Sequence, residues 1–155
     1  MCRCSTKRIQ KVKRYTLVAT EAMWEMAIWV FVRTPHANDI STVSTAFEAT
    51  GLSIAKELTG KQLGNKGAVG VSFVWGETPL CFVNCHLAAQ ARRIMEREDN
   101  YCQIVSRLAL HTLFPDTGVD FLHQHDHVFW FGDMNYRVRV SLTAVVAHTA
   151  VLSKA

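Results

Sequence analysis

The chain has 155 residues, 49% hydrophobic and 19% charged, which allows one core-bearing domain and excludes wholesale disorder. Its formal net charge of +4 excludes a globally basic protein, because much of the excess lies in Lys7, Arg8, Lys11, Lys13 and Arg14.

Residues 1–14 read as a basic N-terminal tail, either solvated or facing phosphate and anionic membrane. They hold no apolar stretch that could serve as a signal-peptide core, and the apolar run at 27–32 is far below bilayer-spanning length. The chain therefore reads as soluble and not secreted. Five cysteines, Cys2, Cys4, Cys81, Cys85 and Cys102, lack C-x-x-C spacing and fit free thiols in a reducing, cytoplasmic setting. A soft-metal site joining Cys2 and Cys4 to His123, His125 and His127 matches no usual zinc spacing.

Extended segments rich in Val, Ile, Phe, Trp and Thr are expected at 15–20, 26–33 and 40–49. Trp24, Trp29 and Trp130 are expected core residues, partly uncovered if the domain is incomplete. Residues 52–62 form a loop with a weak helical tendency in SIAKEL. In LGNKGAVG, residues 63–70, glycines flank Asn65 and Lys66, so the backbone can turn tightly or approach a ligand, and Lys66 can offer a point charge to phosphate. A turn into the next strand explains the same glycines.

Strands at 68–75 and 79–87, joined through Gly76-Glu77-Thr78, read as a β-hairpin. Along the second, Phe82, Asn84 and His86 share one face, and Val83, Cys85 and Leu87 share the other. A histidine at a strand end can act as acid, base or phosphate hydrogen-bond donor, or be structural. From 88 to about 110, Ile94, Tyr101, Ile104, Val105 and Leu108 recur at helical spacing, with Arg92, Arg93, Glu96 and Arg97 between them. FPDTG at 114–118 breaks this amphipathic helix, and a last strand is expected at 127–134.

That strand, HVFWFGDMNYRV with its following loop, ends in Gly132, Asp133, Asn135 and Arg137. Asp133 and Asn135, two apart, are expected to project together and offer oxygen donors suited to Mg²⁺ and a phosphate-bearing ligand. Strands and a helix alternate without repeats, so an α/β or α+β layered domain is expected, with strand order left open.

Taken together, LGNKGAVGVSF, CFVNCHLAA and HVFWFGDMNYRV resemble the inositol polyphosphate 5-phosphatases of the DNase I-like endonuclease/exonuclease/phosphatase superfamily. The wording is closest to the branch acting on phosphatidylinositol trisphosphate. The resemblance implies part of a four-layer α/β/β/α sandwich over residues 15–138, with 139–155 a divergent C-terminal tail. It also implies Mg²⁺-dependent removal of the 5-phosphate from phosphoinositides or inositol polyphosphates at the cytoplasmic membrane face, with no nucleic-acid partner. By motif, His86, Asp133 and Asn135 would be catalytic, Asp133 and Asn135 would hold the metal, and Lys66, Asn65 and Arg137 would bind substrate. Asp133 would activate or position water, and His86 would hydrogen-bond a phosphate or leaving-group oxygen. Arg137 is expected to pair with a carboxylate and hold the loop.

The sequence also departs from that family. The metal-binding glutamate has no counterpart, since Glu21, Glu25 and Glu48 stand in other contexts. The later Cys-Asp-Arg and Ser-Asp-His motifs do not follow Arg137, and His148 has no Ser-Asp before it. The chain is thus expected to be a central fragment, inactive alone. A DNase I-like nuclease and a non-catalytic phosphoinositide-binding fragment are the alternatives.

Overall fold

The computed structural model describes residues 14–50, 65–110 and 118–137. β1 (Tyr15–Met23) and β2 (Met26–Arg33) pair antiparallel as a two-stranded sheet, and a 3₁₀ helix at Thr34–Asp39 leads out of it. β3 (Ile40–Ala49), β4 (Gly67–Trp75), β5 (Thr78–His86) and β6 (His127–Asp133) form a second sheet in that order. Its pairs are antiparallel except β5–β6, which is parallel. The expected hairpin at 68–87 is β4–β5, with Trp75 opposite Thr78.

The sequence of β4 explains the layering. Its run of Val, Ala, Gly and Phe is buried from Gly67 through Val74, as expected of a strand covered on both faces. Alternate residues split between two cores. On one side Ala68 joins Cys81, Val83, Cys85 and Leu87 against Ile104, Leu108, Leu110 and Phe121. On the other, Val69, Val71 and Phe73 meet Met23, Met26 and Ile28 of the β1–β2 sheet. The described residues therefore supply three layers of an α+β sandwich: helix, four-stranded sheet, two-stranded sheet. Asn84 ties the two sheets together, its Nδ2 donating to the Ala27 carbonyl at 3.0 Å.

The helix expected from 88 to 110 is shorter: α1 spans Ile94–Arg107. Residues before it form a loop in which Gln90 holds φ 78°, incompatible with helix. Its buried stripe also differs from the apolar pattern. Ile94 and Tyr101 are exposed, whereas Arg97 and Asn100 are buried beside Ile104 and Leu108. A short helix missed by periodicity, α2 (Phe121–Gln124), is capped by Asp120, whose carboxylate accepts from the Leu122 and His123 amides.

The tryptophans are partly uncovered, as the sequence led us to expect. Trp29 is 61% exposed, because the outer side of the two-stranded sheet has no cover among the described residues, and Trp24, 45% exposed, stands in the turn between β1 and β2. Trp130 is half-buried, its ring against Tyr101 and Phe121 and its Nε1 donating to Cys85 Sγ at 3.0 Å. The loop 52–62, the basic tail 1–13 and the tail 139–155 lie outside the described residues, as do Cys2, Cys4 and His148. His123 pairs with Asp120 and His125 is buried against the Phe121 carbonyl, so these two histidines serve the α2 turn.

Candidate functional site

Strand register assembles the site. Gly67 stands opposite His86 across β4–β5, and His86 stands opposite Asp133 across β5–β6. Lys66, immediately before Gly67, therefore reaches the same sheet end as His86 and Asp133, although the chain separates them widely. The Lys66 ammonium lies 2.9 Å from His86 Nε2, and His86 Nε2 lies 3.6 Å from Asp133 Oδ2. Lysine can only donate, so this contact asks the ring nitrogen nearest it, Nε2, to accept. The contact to Asp133 is too long for a hydrogen bond. Asp133 is the most open of the three, its side chain 64% exposed against 30% for His86.

Two glycines allow this convergence. A Cβ on Gly67 would stand 2.1 Å from the Glu48 carbonyl oxygen, and one on Gly132, which has φ 115°, would stand 2.1 Å from the Cys85 carbonyl oxygen. Only a bare backbone lets β4 and β6 approach their neighbours at these points.

After Asp133 the chain leaves the sheet. Asn135 and Arg137 both adopt positive φ, 53° and 52°, which non-glycine residues tolerate only when held. The Asn135 amide donates to Asp133 Oδ1 at 3.1 Å, and its side-chain Nδ2 donates to the Leu87 carbonyl at 3.1 Å. Asp133 and Asn135 are thus neighbours through a tight turn, not through strand alternation as the spacing suggested. Arg137 donates to Asn135 Oδ1 at 3.3 Å, so it holds the loop through an amide oxygen and not through the expected carboxylate. Asn65 is exposed beside Lys66.

Residues 4–154 match the family described as Endonuclease/Exonuclease/phosphatase family 2. The chain belongs to this family. It is 36% identical over 144 residues to phosphatidylinositol 3,4,5-trisphosphate 5-phosphatase 2A of Danio rerio, covering 93% of this chain and 11% of that protein. The human phosphatidylinositol 3,4,5-trisphosphate 5-phosphatase 2 is 36% identical over 132 residues, 85% of this chain and 10% of that protein. Among solved structures, the inositol polyphosphate 5-phosphatase domain of SPsynaptojanin, in complex with inositol (1,4)-bisphosphate and calcium ion, superposes with a TM-score of 0.66 at 31% identity. That match covers 90% of this chain and 37% of that one. The chain thus spans about a tenth of the length of the curated relatives it matches.

Among the described residues the donor set falls short of a metal site. A divalent hard cation takes several oxygen ligands, usually more than one carboxylate. Here Asp133 is the single carboxylate of the cluster, Asn135 Oδ1 already accepts from Arg137, and no group of three or more His, Cys, Asp or Glu lies suitably placed among the described residues. Glu48 is turned to the helix side, 3.8 Å from the Arg107 guanidinium. Burial raises its pKa, and Arg107 partly offsets that rise.

Sequence reasoning named Gly132 at the strand end but did not find the buried polar pair Arg97 and Asn100. Polar residues at 97 and 100, in step with Ile104 and Leu108, were the available signal.

Proposed function

We propose that this chain carries the phosphate-facing part of a 5-phosphatase site acting on phosphoinositides or inositol phosphates. The alignment of Lys66, His86 and Asp133 across three adjacent strands carries this reading. The names of the relatives support the substrate class.

Lys66 and the imidazole of His86 receive phosphoryl oxygens, the phosphate taking over the lysine donor that His86 Nε2 holds without substrate. Asp133 orients a water and accepts its proton as the new oxygen–phosphorus bond forms and the bond to the inositol oxygen breaks. The released inositol oxygen takes up a proton from solvent water, with His86 hydrogen-bonded to it or to the phosphate. Asn135 and Arg137 hold the loop that aims Asp133. Mg²⁺ is the cation of the complete domain in this proposal; it would offset phosphoryl charge when bound. The described residues alone do not hold it.

A second reading, phosphoinositide binding without turnover, is favoured by one observation: among the described residues the cluster contains a single carboxylate. In either reading the protein works at the cytoplasmic membrane face, with peripheral contact through its basic N-terminal residues and no nucleic-acid partner. Among the described residues no helix is long and apolar enough to cross a membrane.

Orthophosphate release from a short-chain phosphatidylinositol trisphosphate in Mg²⁺ buffer tests the proposal. Release by the chain that disappears in Asp133→Asn supports hydrolysis. Binding of inositol 1,4-bisphosphate without release supports the second reading. Nicking of plasmid DNA under the same conditions would replace both with a nuclease.

A further inference from the structure

Among the described residues Arg97 is the largest fully buried side chain, 1% exposed, and faces no carboxylate within ion-pairing distance. Burying a guanidinium is costly unless it is bonded, and such groups are retained where they fix one arrangement. Its bonds go to backbone carbonyls: Nη1 donates to Ala88 O at 3.2 Å and to Gln90 O at 2.7 Å. Asn100, one turn along α1 and 2% exposed, accepts from the Ala88 amide at 3.0 Å. Both backbone groups of Ala88 are thus held by the buried polar face of one helix. Gln90, whose carbonyl also accepts from the Arg93 amide, is kept at its strained positive φ.

The adjacent residue is held from the opposite side. The Leu87 amide donates to the Asp133 carbonyl at 3.0 Å, and the Leu87 carbonyl accepts from Asn135 Nδ2 at 3.1 Å. The segment after His86 is therefore clamped between α1 and the Asp133–Asn135 turn, with successive residues bonded to successive partners. Nothing else among the described hydrogen bonds links α1 to the site.

We infer that Arg97 and Asn100 are positioning residues: through Ala88 and Leu87 they fix the His86 imidazole relative to Asp133 and Lys66. The catalytic meaning of this geometry rests on the 5-phosphatase reading, but the geometry itself does not. Loss of the clamp lets the 86–90 segment shift, and the Lys66 to His86 contact goes with it.

The test uses the full 155-residue chain and ¹⁵N NMR of the His86 ring, which reports whether Nε2 accepts from Lys66 without any turnover. The Trp130 indole N–H serves as a reporter of the intact core. Arg97→Lys keeps the charge but ends one atom short of Nη1, which makes both carbonyl bonds; it is expected to shift the His86 ring signals while the Trp130 signal stays. Asn100→Leu, which cannot accept from Ala88, should do the same, and Asn100→Asp, which keeps the acceptor, should return the parent signals. If orthophosphate release is measurable, Arg97→Lys should lower kcat more than it raises KM. Unchanged His86 signals in folded Arg97→Lys and Asn100→Leu overturn the inference, and so does unfolding of every variant, which would assign both residues to stability alone. Absence of release in the parent chain, with the His86 shifts observed, counts against the 5-phosphatase reading and leaves the clamp standing.

Discussion

Gly132→Ala should be among the most damaging single-methyl changes in this protein. The added Cβ would lie 2.1 Å from Cys85 O, 2.6 Å from Asn84 Oδ1 and 2.8 Å from Cys85 N. Two of these atoms belong to the β5 backbone, so no side-chain rotation relieves the overlap, and the parallel β5–β6 pairing must open at Cys85 and Gly132. Placing alanine at φ 115° costs about 1–2 kcal/mol before any clash. Overpacking against fixed backbone adds about 1–3 kcal/mol, giving about 2–5 kcal/mol. With each kcal/mol worth about 2–4 °C in a domain of this size, Tm should fall by about 10 °C. Gly76 is the control: its φ is 63°, yet an added Cβ there meets nothing within 4 Å. Gly76→Ala carries only the backbone term. Thermal unfolding followed by circular dichroism compares the two variants directly. If Gly132→Ala melts within about 2 °C of Gly76→Ala, the close approach of β6 to β5 is not what the site depends on.

Burial pushes the Cys81 thiol up to about 12 and raises that of Cys85, so at pH 8 an alkylating reagent should modify the exposed Cys102 and spare Cys81 and Cys85 until the protein unfolds; peptide mapping reads this out. The same burial sets a sign for stability: the contribution of Cys81 is fully present below its ordinary value of 9.0 and is lost as pH rises toward 12, with about 4 kcal/mol at stake. An unchanged urea midpoint across that window would refute it. Asn84→Ala removes the bond that joins the two sheets and should cost about 1–2 kcal/mol by urea denaturation, whereas a loss confined to a few tenths would mean that the sheets are held by apolar packing alone. Trp29, Phe31, Phe129 and Phe131 are all more than 40% exposed, with a cavity of about 310 Å³ lined in part by Trp29, Phe31 and Phe131; concentration-dependent association is expected, and Phe129→Glu should reduce it in sedimentation velocity.

The strands were legible because their signal is local. Alternation in β5 correctly divided Phe82, Asn84 and His86 from Val83, Cys85 and Leu87, which the two cores confirm. The β4–β5 hairpin followed from its turn residues. The parallel pairing of β5 and β6 was not legible, since no local pattern records a crossover partner. The turn after Asp133 was misread for a related reason: spacing of two signals a shared face only while the strand continues, and β6 ends at Asp133. The helix stripe was misread because apolar spacing does not anticipate that Arg97 and Asn100 occupy buried positions to bond a backbone segment elsewhere in the chain.

The arrangement of charge at the sheet end favours an anion over a cation. The hydrogen bonds of the Lys66 ammonium among the described residues go to the His86 ring, whose nitrogens accept without bearing negative charge. Hydrogen bonds to a charged oxygen are roughly twice as strong as neutral ones, so a phosphate reaching this point gives Lys66 a better partner than it has. Asp133 approaches the same ring nitrogen, 3.6 Å from Nε2, is largely open to solvent, and forms no ion pair with Lys66 among the described residues. A cation at the same place would meet one carboxylate and an ammonium, an arrangement that gives it too few oxygens and a like charge nearby. Substituting Lys66→Met should therefore weaken inositol 1,4-bisphosphate binding at least tenfold, about 1.4 kcal/mol, in a titration run without divalent cation. Binding equal to that of the parent chain would show that the phosphate enters elsewhere, and the alignment of Lys66, His86 and Asp133 would then need a different explanation.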